Sequence, residues 1–204
     1  MKSKFKLAVL VSGRGSNLGV LIRNIHRGIL KAEITVVISD NFMANAMNIA
    51  LENGIPAVAV ERSGFTKKRE FEGKILNILK GYSPDLIVLA GFMQILSSDF
   101  IREYKQKIIN IHPSLLPSFR GLDAQGQALD YGVKVTGATV HFVDDGVDSG
   151  PIILQGSVPV KQEDTRESLA ERILKKEHEI LTKAIDLIRR NKVQIEGRKI
   201  FIKK

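Results

Sequence analysis

The sequence has no cysteine. That excludes disulfides, thiolate nucleophiles and cysteine-ligated metals. Histidine is scarce too: His26, His112, His141 and His178 are the whole set, and no two of them stand at metal-ligand spacing along the chain. No metal is expected unless folding gathers these residues. Apolar tracts of roughly 20 residues, the length of a membrane span, are missing. The start, MKSKFKLAVLVSGRGSN, superficially resembles a secretory signal, but its apolar stretch Leu7 to Val11 is too short and runs into a glycine loop. A cytoplasmic chain with no membrane partner is the expectation. Aromatic residues make up 6% and do not interleave with basic ones in the manner of base-stacking surfaces. The net charge of +9 is therefore read as a solvated basic face, or as an attraction for anionic small molecules, with no nucleic acid among the expected partners. The basic residues are scattered, with a modest concentration in RRNKVQIEGRKIFIKK.

What is present is an alternation of strand and helix patterns. A chain of 204 residues is long enough for one domain with a sizeable core, and 44% hydrophobic with 26% charged residues suits a globular chain. KLAVLVS, AEITVVIS, AVAV, DLIVLAG and KIINIH read as buried strands. Between them SNLGVLIRNIHRG, MANAMNIALENG and FTKKREFEGKILNILKG read as helices, each closed by a glycine. This pattern predicts an α/β protein: a Rossmann-like, mainly parallel sheet with helices on both faces. After Gly121 the style changes. GATVHFV and PIILQGSVPV are joined by DDGVDSG, too short for a parallel crossover, so an antiparallel pair is expected. DTRESLAERILKKEHEILTKAIDLIRR reads as a long amphipathic helix capped by Asp164 or Thr165, and VQIEGRKIFI as a small hairpin. No repeat, linker or low-complexity tract interrupts this. A single domain over 1–204 is expected, with halves 1–110 and 111–204.

Three segments carry chemistry. In KIINIHP, side chains of a strand alternate faces, so Asn110 and His112 point one way and Ile111 the other, and Pro113 ends the strand. An amide and an imidazole would then sit together at the lip of a sheet, where open α/β sheets hold ligands. The plain alternative is a histidine that merely caps a strand end. In SGRGSNL, after the first strand, Gly13 and Gly15 allow a tight turn, Ser16 with Asn17 can cap the next helix, and helix-start N–H groups from Ser16 through Leu18 to Gly19 make an anion site suited to phosphate. The turn lacks the third glycine of a dinucleotide fingerprint and the lysine of a P-loop. A purely structural turn is the alternative. In HFVDDGVDSGPIILQ, the aspartates would suit a turn, and one that reached His112 would raise its pKa. The apolar loop Met93 to Leu96 reads as core or as a wall for a flat ring.

Taken together, SGRGSNL, LAGFMQILS, NIHPSLLP and HFVDDGVDSGPIILQ closely resemble the folate-dependent phosphoribosylglycinamide formyltransferases, the glycinamide ribonucleotide transformylases of purine synthesis. The resemblance covers nearly the whole chain and implies the formyltransferase fold. It implies 10-formyltetrahydrofolate as co-substrate, glycinamide ribonucleotide as acceptor, no metal, and leaves a homodimer open. Carried onto this sequence, it makes Asn110, His112 and Asp148 the catalytic trio. It makes Gly13, Gly15, Ser16, Asn17, Leu18 and Gly19 the phosphate turn, and Glu177 the carboxylate for the ribose hydroxyls. Met93, Gln94, Ile95, Leu96, Asn110, Val143 and Asp144, with the rest of the loop to Val147, would line the pterin pocket. Lys68 falls where relatives often carry an arginine that meets the folate, with Arg69 beside it as the other choice. The formyl group would pass to a primary amine through a tetrahedral oxyanion, to which Asn110 and a protonated His112 would donate while Asp148 orients His112 and helps move protons.

The chain departs from the family pattern in three places. Gln94 stands where many relatives have arginine. SFRGLDAQGQAL lacks the histidine usual in the GLxAHxQA loop, with Gly126 at or beside that place. The tail is short and basic. The competing readings are a formyltransferase of the same core acting on initiator methionyl-tRNA or a nucleotide sugar, a formyltetrahydrofolate hydrolase, a basic nucleic-acid-binding α/β module, and a nicotinamide-dependent dehydrogenase. The tRNA enzyme and the hydrolase would each need an extra domain. Against the dehydrogenase stands the missing third glycine, although Asp40 in VISDN occupies a plausible ribose position.

Overall fold

The computed structural model describes residues 4–203. The chain divides into two compact units, Met1–Ile109 and Asn110–Lys204. The first holds β1 (Phe5–Val11), α1 (Ser16–His26), β2 (Ala32–Ser39), α2 (Asn45–Glu52), β3 (Ala57–Ala59), α3 (Lys68–Tyr82), β4 (Leu86–Leu89) and α4 (Ser98–Glu103). Its strands run in the order β3-β2-β1-β4, and each neighbouring pair is parallel. Leu7, Ala8, Val9, Leu10 and Val11 are all fully buried, so β1 is covered on both faces, as a near-continuous apolar strand requires. Helix α1 turns Leu18, Leu21 and Ile22 inward. This is the mainly parallel α/β arrangement expected from the alternation.

The next strand, β5 (Ile108–His112), is divided between the units: its last three residues, Asn110 to His112, belong to the second. The second unit continues with α5 (Ala124–Tyr131), β6 (Val135–Phe142), β7 (Ile152–Pro159), α6 (Arg166–Arg189), β8 (Val193–Glu196) and β9 (Lys199–Ile202). Strands β6 and β7 are antiparallel, and β8 pairs β9 in the small hairpin the tail predicts. Helix α6 packs on β6 and β7. Its buried stripe, Leu169, Ile173, Glu177, Ile180, Leu181, Ala184 and Ile185, follows the helical period. Gly137 lies opposite Ser157 across β6 and β7, and a Cβ on it would strike the neighbouring Gly156 carbonyl.

Helix ends account for the differences from expectation. Thr165, not Asp164, is the N-cap of α6, its side chain accepting from the Ser168 N–H. Asp164 is instead bidentate to Arg172, at 2.7 and 2.8 Å. Ser16 is not a cap: it is the first residue of α1, and Gly15 holds the N-cap position at φ 75 without a side-chain bond. Gly28 and Gly54 do follow α1 and α2 at positive φ, but Gly81 lies inside α3, and Ser83 takes the left-handed position that ends it, at φ 46. Helices α4 and α5 are too short to leave a periodic signal of their own.

Candidate active site

Strand alternation places Asn110 and His112 on one face of β5, with Ile111 buried on the other. That face meets a single carboxylate. Asp148, in the loop between β6 and β7, lies 3.3 Å from His112 Nδ1 through one oxygen and accepts from Asn110 Nδ2 at 3.3 Å through the other. The Gly121 N–H donates to Asp148 as well, at 2.9 Å. Asp148 sits at φ 48, a left-handed conformation that costs a non-glycine residue about 1 kcal/mol or more and persists where surroundings over-determine it.

A fourth side chain, not singled out in the sequence, completes the cluster. His141 on β6 places Nε2 at 3.7 Å from Asp148 and 3.3 Å from Asn110 Nδ2. Its Nδ1–H donates to the Phe142 carbonyl at 2.8 Å, which turns Nε2 toward Asn110 and Asp148. The signal that could have found it is the alternation Thr139, His141 along β6. Thr139 is itself a hub for the loop after His112. Its hydroxyl donates to the Ser114 carbonyl and accepts from the Leu116 N–H and Gln155 Nε2. Thr139→Val would strand the Ser114 carbonyl and the Leu116 N–H in a buried spot, while Gln155 keeps its bond to the Leu116 carbonyl, and it is expected to destabilise the protein by about 2–3 kcal/mol, measurable by urea titration.

His112 is almost completely buried. Its Nε2–H donates to the Phe119 carbonyl at 2.8 Å. Burial pulls its pKa below the ordinary 6.5, against the upward pull of the Phe119 carbonyl and of Asp148, while His141 adds to the fall. The expectation that Asp148 would raise this pKa holds for its own contribution, but desolvation outweighs it. Asp148 goes the other way in cause and the same way in direction: burial would raise it, yet the bonds from His141 and the Gly121 N–H and the charges of the two imidazoles hold it below 3.8. Folded-state pKa values that lie below the unfolded ones bind fewer protons on folding. For His112, stability is therefore full above pH 6.5 and declines as pH falls below it. For Asp148 it is full above pH 3.8 and is lost as pH falls through the lower folded value. Asp148→Asn removes an upward contribution to His112, so the imidazole of the variant is expected to titrate lower still in an NMR titration. An equal or higher value would refute the coupling.

The other residues singled out from sequence lie as follows. In the first unit, the turn 13–19 joins β1 to α1. The Gly13 carbonyl accepts from the Ala46 N–H at 3.1 Å and the Arg14 carbonyl from Asn45 Nδ2 at 3.2 Å, so its carbonyls are tied to the start of α2. The first i→i−4 bond of α1 runs from the Gly19 N–H to the Gly15 carbonyl. The N–H groups of Ser16, Asn17 and Leu18 precede it, in the position that suits an anion. A Cβ on Gly15 would lie 2.8 Å from Ala46 Cα, which explains that glycine. Met93 and Ile95 are exposed and Leu96 buried, while Gln94 donates to Asp40 at 2.7 Å. The loop is pinned by the Met93 N–H on Ser12 Oγ and by the Ser97 N–H on the buried Glu72. Lys68 opens α3 and lies 3.8 Å from Glu72. In the second unit, Glu177 is buried on α6, and Val143 and Asp144 begin the loop that carries Asp148. Among the described residues, no three His, Asp or Glu side chains form a group that could hold a metal ion, and no helix is long and apolar enough to cross a membrane.

An amide and an imidazole on one face of β5, met by a second imidazole on β6 and a carboxylate from the following loop, form a site for moving protons and for donating to a developing oxyanion, with no hydroxyl or thiol among the four groups. Comparison with known proteins agrees with that class. The formyl transferase family model matches residues 5–185, and the chain belongs to this family. Among its relatives are proteins named phosphoribosylglycinamide formyltransferase. The Bacillus subtilis enzyme of that name is 41% identical over 173 residues, covering 85% of this chain and 89% of the relative. A solved glycinamide ribonucleotide transformylase 1 from Symbiobacterium toebii superposes with a TM-score of 0.97 at 41% identity, covering 100% of this chain and 96% of the other. The human trifunctional purine biosynthetic protein adenosine-3 is 44% identical over 194 residues, 95% of this chain but only 19% of the relative. The chain thus spans about a fifth of the length of that trifunctional protein.

Proposed function

We propose that this chain transfers the formyl group of 10-formyltetrahydrofolate to the amine of glycinamide ribonucleotide, giving formylglycinamide ribonucleotide and tetrahydrofolate in purine synthesis, in the cytoplasm. Both substrates are small molecules, and neither nucleic acid nor a membrane takes part. The observation that carries the reading is the convergence of Asn110, His112 and His141 on Asp148. The match to phosphoribosylglycinamide formyltransferases along most of their length supports it.

The folate supplies a formyl carbon already activated on nitrogen. Asn110 and His112 donate to its oxygen as negative charge develops there. In the state described, the His112 Nε2–H is engaged by Phe119, and Asn110 Nδ2 by Asp148 and His141, so both donors exchange protein partners for the substrate oxygen. Asp148 accepts the proton that the attacking amine must lose, directly or through water, and His112 or water returns a proton to the departing nitrogen. The turn at Gly13, Gly15 and Ser16 to Gly19 binds the ribonucleotide phosphate and Glu177 its ribose hydroxyls. Met93 to Leu96, Val143 and Asp144 receive the pterin, and Lys68 the more distant, acidic part of the folate.

The deciding experiment is formyl transfer from 10-formyltetrahydrofolate, with glycinamide ribonucleotide and initiator methionyl-tRNA as competing acceptors. Turnover of the ribonucleotide, undisturbed by tRNA, is the expected result. Preference for the tRNA, or hydrolysis without transfer, would overturn the reading.

A further inference from the structure

The basic tail, without a role in the chemistry so far, makes one bond to the catalytic loop. Arg198 follows the turn glycine of the β8–β9 hairpin, and its Nη2 donates to the Ser149 carbonyl at 2.7 Å. Ser149 is the immediate neighbour of Asp148. The Asp148 carboxylate is itself held by the Gly121 N–H and Asn110 Nδ2, while the loop backbone is restrained from within the loop and from the strand that leads into it. Ser149 Oγ and the Gly146 N–H both donate to the Asp144 carboxylate. The Phe142 N–H donates to the Pro151 carbonyl at 2.9 Å, and Gly150 passes so close to the Phe142 carbonyl that a side chain there would collide with it. Arg198, 49 positions further on, grips the backbone of the loop from another element.

We propose that Arg198 is a positioning residue: through the Ser149 carbonyl, the C-terminal hairpin holds the Asp148 carboxylate against Asn110, His112 and His141. The proposal rests on the formyl-transfer reading of that cluster. Asp148 has a left-handed backbone, which a non-glycine residue keeps only while its neighbours enforce it. Releasing the peptide carbonyl of the next residue lets that backbone relax and swings the carboxylate away. A guanidinium suits this task because it is always charged and its fixed fork reaches a carbonyl from an exposed hairpin.

Arg198→Met keeps much of the side-chain stem and removes the donor. It is expected to lower kcat roughly 3- to 10-fold, the effect of one hydrogen bond lost from the support of a catalytic group, with both KM values and the melting temperature unchanged. Arg198→Lys, which retains a donor, is expected to fall between the wild type and the methionine variant. A methionine variant with wild-type kcat overturns the proposal. So does a loss that tracks a lower melting temperature, or a lysine variant no faster than methionine. The NMR signals of the His112 and His141 rings, read without substrate, separate this proposal from the reading it rests on. If the wild type transfers no formyl group, the functional reading fails, while displaced ring signals in Arg198→Met still establish that the hairpin holds the loop. Unmoved ring signals overturn that as well.

Discussion

His112→Ala is expected to lower kcat roughly 10²- to 10³-fold, because a lost oxyanion donor typically costs about 2.7–4 kcal/mol. The ring is a donor through Nε2, and its other nitrogen faces Asp148 at 3.3 Å, so alanine removes both the donor and the route to the carboxylate. The ring is also buried and satisfies the Phe119 carbonyl, so some stability goes with it. Rates are therefore to be measured well below the variant's melting transition, and His112→Gln, whose amide nitrogen reaches about as far as Nε2, serves as the companion. Wild-type turnover in the folded alanine variant would remove His112 from the chemistry. A loss of kcat with both KM values preserved would place its contribution in the transition state.

Removing the phosphate from the acceptor is expected to raise its KM on the order of 100-fold, since charge-assisted hydrogen bonds to an anion are each worth roughly 1.5–3 kcal/mol. Affinity for a folate analogue is expected to stay the same. The site in question is the start of α1, where the N–H groups of Ser16, Asn17 and Leu18 precede the first helical bond. Gly15→Ala tests the same turn from the protein side, with two effects at once. Its φ of 75 disfavours any side chain, and the added Cβ would press on Ala46 of α2. The variant is therefore expected to lose stability as well as affinity for the ribonucleotide. Equal use of phosphorylated and dephosphorylated acceptors by the wild type would detach this turn from the substrate.

The parallel strands were legible because an apolar run buried on both faces, such as Leu7 to Val11, has few other ways to be satisfied. The antiparallel pair followed from the shortness of DDGVDSG, a constraint of chain length alone. Asn110 and His112 were legible because two residues on one strand share a face whatever the rest of the chain does. His141 was not, since it stands 31 positions from Asn110 and in sequence resembles any histidine in a buried strand. Only the order β5-β6-β7 brings it there. The pattern ends α3 at Gly81, because glycine is the usual left-handed residue after a helix, whereas the helix runs on to Tyr82 and Ser83 takes that conformation. The upward pull of Asp148 on His112 is legible and the net fall is not, because a neighbouring charge can be inferred from a motif, whereas the cost of desolvation depends on the packing around the ring.

Gly126 lies beneath an ion pair. It sits in the first turn of α5, where its own backbone would accept alanine, but a Cβ would collide with the carboxylate of Asp123 and the guanidinium of Arg166. That pair closes over the glycine at 2.7 Å, and Arg166 also reaches Asp130. Both side chains are half-exposed, and the atoms in the way are their ends, so a Cβ at 126 displaces them at the cost of an exposed ion pair, about 0–1 kcal/mol. The glycine is thus kept by a movable lid of charge and not by its backbone, and Gly126→Ala is expected to fold with the Asp123–Arg166 pair loosened.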